Sequence, residues 1–171
     1  PEELEFSPDG TKMFVLDNTG NDVNEFTLTT GFDISTASYV QTLIVDVEEN
    51  TPTGLAFTYD GTKMFVLGWE NDAVIEYTLS TAFDISTASM GDSYAIANAV
   101  TNHPSALTFS SDASKMFIMG RDTSPNEIYE YTLSCYYGVV NCMDPTSDKD
   151  DVASVESQTE SAKQLIQHTT Y

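Results

Sequence analysis

Two kinds of side chain in this sequence have the chemistry to hold a ligand. The first is a set of acids and amides in one short stretch, Asp17-Asn18-Thr19-Gly20-Asn21-Asp22, with Asp72 at the corresponding place further on. Carboxylate and amide oxygens this close together suit calcium, and Asp17, Asn21, Asp22 and Asp72 are the candidate ligands. The spacing is not that of an EF-hand loop, and Asx residues that shape turns account for the same letters. The second is Trp69, the single tryptophan of the chain. It stands where related segments carry Asn18 and Arg121. A loop tryptophan can stack on a sugar ring or anchor a protein partner, or cover a neighbouring element.

Other reactive types give less. His103 precedes Pro104 and His168 lies near the C-terminus; neither pairs with a nucleophile or a third ligand in a recognisable pattern. No Gly-rich phosphate loop or zinc spacing is present. Cys135 and Cys142 are the only cysteines, with six residues between them. In an oxidising compartment a local disulfide is the favoured reading, with two free thiols as the alternative. Six basic residues against 27 acidic ones give a formal charge of −21. Such a chain has no basic patch with which to neutralise phosphates, which argues against nucleic acid and against direct binding to an anionic membrane.

The elements that position these residues are repeats. Residues 1–47 match 52–98 at 23 positions when aligned at an offset of 51. Asp9-Gly10-Thr11-Lys12-Met13-Phe14-Val15-Leu16 recurs at 60–67 and, more loosely, at 112–119. Phe32-Asp33-Ile34-Ser35-Thr36-Ala37-Ser38 recurs unchanged at 83–89, and Asp33 and Asp84 read as turn or cap residues within it. Each copy predicts four short strands. Ser7-Pro8-Asp9-Gly10 predicts a tight turn between the first two, with Gly free to take positive φ. Ala113 replaces that glycine in copy three, so its turn must differ or carry strain. The Lys-Met-Phe-Val-Leu strand is apolar on both sides and predicts burial on both faces. The third strand alternates, placing Glu25 and Thr27 on one face and Phe26 and Leu28 on the other. A weaker fourth strand is expected at 39–47 and 90–96. Copy three lacks a clear fourth strand, although 136–140 is a candidate.

Repeated four-stranded units at this period predict an all-β partial β-propeller of about three antiparallel blades, the third incomplete. The pattern from Phe6 to Leu16, Phe-Ser-Pro-Asp-Gly followed by a hydrophobic run, resembles blades of periplasmic and cell-surface bacterial propellers. That resemblance implies a fold and says little of function. Blades are expected over 1–134, starting at 1, 52 and 104. A Cys loop and polar linker follow at 135–150. An amphipathic α-helix is expected at 151–169, its stripe formed by Val152, Val155, Thr159, Ala162 and Ile166.

The stretch from Asp144 to Tyr171 resembles the segment before the C-terminal barrel of autotransporter-type surface proteins. This implies the extracellular or outer-membrane surface of a Gram-negative bacterium, with membrane contact only through a C-terminal domain absent from this sequence. The chain opens within its repeat pattern, so more blades are expected before Pro1. The functional expectation is a non-enzymatic binding or adhesion scaffold for a protein or glycan, without a cofactor unless calcium serves. The alternatives are a propeller enzyme of glycosidase or lyase type, with its catalytic residues in other blades, and a structural spacer.

Overall fold

The computed structural model describes residues 1–45, 50–96, 103–121 and 128–133. Three antiparallel sheets follow one another along the chain. The first contains β1 (Glu3–Phe6), β2 (Lys12–Asp17), β3 (Asp22–Leu28) and β4 (Ala37–Ile44). The second contains β5 (Pro52–Phe57), β6 (Lys63–Gly68), β7 (Ala73–Leu79) and β8 (Ala88–Ala95). The third contains β9 (Pro104–Phe109), β10 (Lys115–Gly120) and β11 (Ile128–Thr132). Within each sheet spatial order follows chain order, the meander of a propeller blade. Strands β1, β5 and β9 approach one another from sheet to sheet and form the inner edge. The third blade shows three strands among the described residues. The predicted helix at 151–169, the fourth-strand candidate at 136–140, Cys135, Cys142 and His168 lie outside them.

The tight turns form for a local reason. Gly10 N–H donates to Ser7 O at 2.8 Å, and Gly10 takes φ 69°. Asp9 Oδ1 accepts from the Ser7 hydroxyl and from both the N–H and the hydroxyl of Thr11. Ser7 Oγ accepts in turn from Lys12 N–H. Thr58–Lys63 and Ser110–Lys115 repeat the same network. These hydrogen bonds favour the charged carboxylate, so Asp9 and Asp60 are held below the usual range and Asp112 is lowered to about 2. Copy three keeps the turn, because Ala113 N–H donates to Ser110 O at 2.8 Å. Ala113 takes φ 56° to do so, which places the expected strain at this residue.

Packing between sheets makes the core. Phe14, Leu16, Val23 and Val45 of the first blade bury against Leu55, Met64, Val66, Ile75 and Ile85 of the second. The second blade meets the third in the same way, with Phe65, Leu67 and Val74 against Leu107, Met116 and Ile118. A ring from one blade also caps an aromatic pair on the next: Phe14 lies 4.4 Å from Phe57 and 6.3 Å from Phe83 between ring centroids.

One expectation changes, and one side chain proves buried. The fourth strands run over Ala37–Ile44 and Ala88–Ala95, starting two residues earlier than expected, because each follows directly on a short 3-10 turn, Ile34–Thr36 or Ile85–Thr87. Asp33 and Asp84 cap those turns by accepting from Ser35 and Ser86 N–H. Glu25, set by alternation on one face with Thr27, is buried, with 1% of its surface exposed. Its carboxylate accepts from Lys12 Nζ at 2.6 Å, from Gln41 Nε2 at 2.7 Å and from Ile85 N–H of the next blade at 3.1 Å. Lys12 Nζ also donates to Phe83 O at 2.6 Å. A register shift between Glu25 and Phe26 in the β3–β4 pairing sets Gln41 opposite Glu25. The ion pair thus clamps the 3-10 turn of the following blade. Lys63–Glu76 and Lys115–Glu130 repeat the pair in blades two and three.

Candidate functional site

The variable loop positions gather at one end of the blades, where the inner strands begin. The β2–β3-type turns sit against the starts of the inner strands: that of the first blade reaches the next blade, and those of the second and third reach their own inner strands. Asn18 Nδ2 donates to Pro52 O at 3.4 Å, Trp69 N–H to Thr51 O at 3.0 Å and Arg121 N–H to His103 O at 3.1 Å. Thr53 Oγ1 crosses to Pro104 O of the third blade at 2.7 Å. A cleft of about 300 Å³ opens here, walled by Trp69, His103 and Arg121, with Glu2, Thr53 and Pro104–Ser105 completing it. Trp69 is 45% exposed, and its ring meets His103 edge-on with centroids 3.9 Å apart. The cleft joins a broad aromatic face, an imidazole, a guanidinium and a carboxylate, so it can stack on a flat ligand and hydrogen-bond to its edge.

Of the residues singled out from sequence, Trp69 is in this cleft. His103, given no role by the sequence, lies beside it because φ 44° turns the chain into β9. Arg121 also joins the cleft, and its signal was available: positions 18, 69 and 121 read Asn, Trp and Arg at the ends of otherwise repeated strands.

The candidate calcium ligands divide between two turns. Asp17 and Asp22 are cross-strand partners at the ends of β2 and β3. Asp17 accepts from Thr19 N–H at 3.2 Å. Asp22 Oδ1 accepts from Asn24 Nδ2 at 2.6 Å. Asn21 and Asp72 occupy equivalent left-handed turn positions, φ 49° and 45°, in successive blades. That is a conformation Asn and Asp accept more readily than other side chains. Among the described residues no group of three or more His, Cys, Asp or Glu side chains converges.

A second acidic pair lies on the inner strand β1. Glu3 Oε accepts from Leu55 N–H at 2.7 Å, and burial raises its pKa. Glu5 is pushed up to about 7, chiefly by burial and then by the charge of Glu3.

No protein-family model matches the chain, and no curated protein matches it by sequence. Solved structures do. A protein from Bacteroides uniformis assigned as a 6-phosphogluconolactonase superposes with a TM-score of 0.59 at 18% identity, over 80% of this chain and 37% of its own. Hydrazine synthase of Kuenenia stuttgartiensis gives 0.56 at 20% identity, over 77% and 32%. The Cps50 (Swd1) β-propeller domain of Myceliophteria thermophila gives 0.54 at 10% identity, over 77% and 39%. The matched part spans 32–39% of each of these proteins. Likeness at such identity establishes a fold and leaves activity open: the described chain is an all-β arc of a β-propeller.

Proposed function

We propose that this chain is a non-enzymatic binding module whose recognition surface is the cleft at the start of the inner strands. One observation carries the reading: the residues that vary between otherwise matching blades, Trp69 and Arg121, meet His103 at one cleft. Repeated strands carrying variable loop tips suit a scaffold that displays a surface. An exposed tryptophan beside polar groups favours a glycan or a protein side chain with a flat apolar face. The surface location implied by the resemblance of the tail fits such a partner, and the acidic charge disfavours nucleic acid.

Trp69 supplies the test, because its fluorescence reports on the cleft alone. Titration with panels of oligosaccharides and surface-protein peptides is expected to shift or quench that emission for one class. Arg121→Ala is expected to weaken the same titration at least tenfold while leaving the circular dichroism spectrum unchanged. Binding that persists unweakened in Arg121→Ala by the same emission and in Trp69→Phe by titration calorimetry, or none across both panels, refutes the proposal.

A further inference from the structure

The chain's single tryptophan and its single arginine stand at corresponding repeat positions of successive blades and meet in one cleft, over the junction of the second and third blades. The other lysine and arginine side chains among the described residues, Lys12, Lys63 and Lys115, are each paired with a glutamate of their own blade. Arg121 is thus the guanidinium that this acidic chain sets beside its exposed indole. Three further groups of the cleft wall accept hydrogen bonds. Thr53 Oγ1 gives its proton to Pro104 O at 2.7 Å and Ser105 Oγ to Met119 O at 3.3 Å. Toward a ligand both hydroxyls therefore present oxygen lone pairs, as does the Glu2 carboxylate.

Resting on the reading of this cleft as the recognition surface, we infer that its ligand is a sugar ring bearing a carboxylate, a uronate unit of an acidic glycan. The C–H face of the ring stacks on Trp69, which is 45% exposed. The carboxylate meets Arg121, whose planar fork of N–H donors matches two carboxylate oxygens. The ring hydroxyls donate to Glu2, Thr53 and Ser105. That surplus of acceptors selects a polyhydroxylated partner over an acidic peptide, whose carboxylates would suit Arg121 but bring no row of hydroxyl donors. A cleft of about 300 Å³ lies at the small end of ligand pockets, roughly 300–1,000 Å³, and suits a single ring with its substituents. The charge of −21 repels an anion from afar, but at physiological salt charges beyond about 8 Å are largely screened, which leaves contact with Arg121 to decide.

The test is Trp69 emission of the full chain in physiological salt, titrated with oligomers of galacturonate, glucuronate and mannuronate, each as free acid and as methyl ester. The ester keeps the ring and its hydroxyls and removes the charge. One free acid is expected to change the emission with at least tenfold higher affinity than its own ester. Arg121→Ala is expected to abolish that difference with an unchanged circular dichroism spectrum. Equal affinity for acid and ester overturns the inference and leaves the cleft as the recognition surface. So does a response to acidic peptides alone. A preference for the acid that survives Arg121→Ala also overturns it, because the carboxylate is then read elsewhere. No response to any sugar or peptide overturns both the inference and the reading on which it rests.

Discussion

Removing the carboxylate of Glu25 tests the account of how blades hold their register. Glu25→Ala deletes one acceptor that serves Lys12, Gln41 and the Ile85 N–H. Breaking a buried ion pair from one side typically costs about 3–5 kcal/mol, because the other charge is left stranded. Lys12 is 26% exposed and keeps its bond to Phe83 O, so the lower end applies, about 3 kcal/mol. With a urea dependence of about 1–3 kcal/mol per molar, the unfolding midpoint should fall by about 1–3 M. Urea titrations monitored by Trp69 fluorescence and circular dichroism, with sulfate as stabiliser, measure it. Lys12→Met combined with Glu25→Ala removes the stranded charge as well. It should therefore cost no more than Glu25→Ala alone, a coupling beyond the ~0.5 kcal/mol within which independent sites add. A loss under about 1 kcal/mol, the worth of an exposed ion pair, would refute the clamp. So would simple additivity of the two substitutions.

Two further perturbations probe the turn and the inner strand. Gly61 takes φ 69°, and a methyl group there would collide with the Phe83 ring. Gly61→Ala should cost about 2–4 kcal/mol from left-handed strain plus overpacking. In a Phe83→Ala background the cost should drop to about 1 kcal/mol, and equal costs in both backgrounds would show that the ring is not the obstacle. Glu5, raised to about 7 by burial and by Glu3, binds its proton more tightly folded than unfolded. Its contribution is therefore fully favourable below the unfolded pKa near 4.5 and is lost as pH rises through 7. Glu5→Gln should stabilise the chain at about pH 8 and make little difference at about pH 5; a constant gap across that range would contradict the assignment.

The repeat made most of the fold legible. A period of near-identical strands and Asp-Gly turns specifies blades, because hydrogen-bonded turn chemistry and alternating burial are local properties. What local reading missed depends on register and on neighbouring blades. Lys12 and Glu25 meet only because β2 and β3 pair, and Glu25 is buried only because a second sheet covers it. Alternation alone grouped Glu25 with Thr27 and carried no sign of its burial. A signal was nonetheless present: three of the six basic residues, Lys12, Lys63 and Lys115, recur at one repeat position, each with a glutamate at another. The cleft was half legible. Trp69 stood out as the sole tryptophan, whereas His103 reaches it through a backbone bend that no residue pattern announced.

The recurring clamp bears on how a molecule like this changes over generations. The first junction shows the clamp in full, and Lys63–Glu76 and Lys115–Glu130 repeat its gripping pair, so a unit duplicated or deleted in the gene meets neighbours that carry the same fitting. Selection can then alter the loop tips of one unit, turning Asn18 into Trp69 or Arg121, without disturbing the joints on either side. Variety at the rim and monotony at the seams are two results of one economical joint.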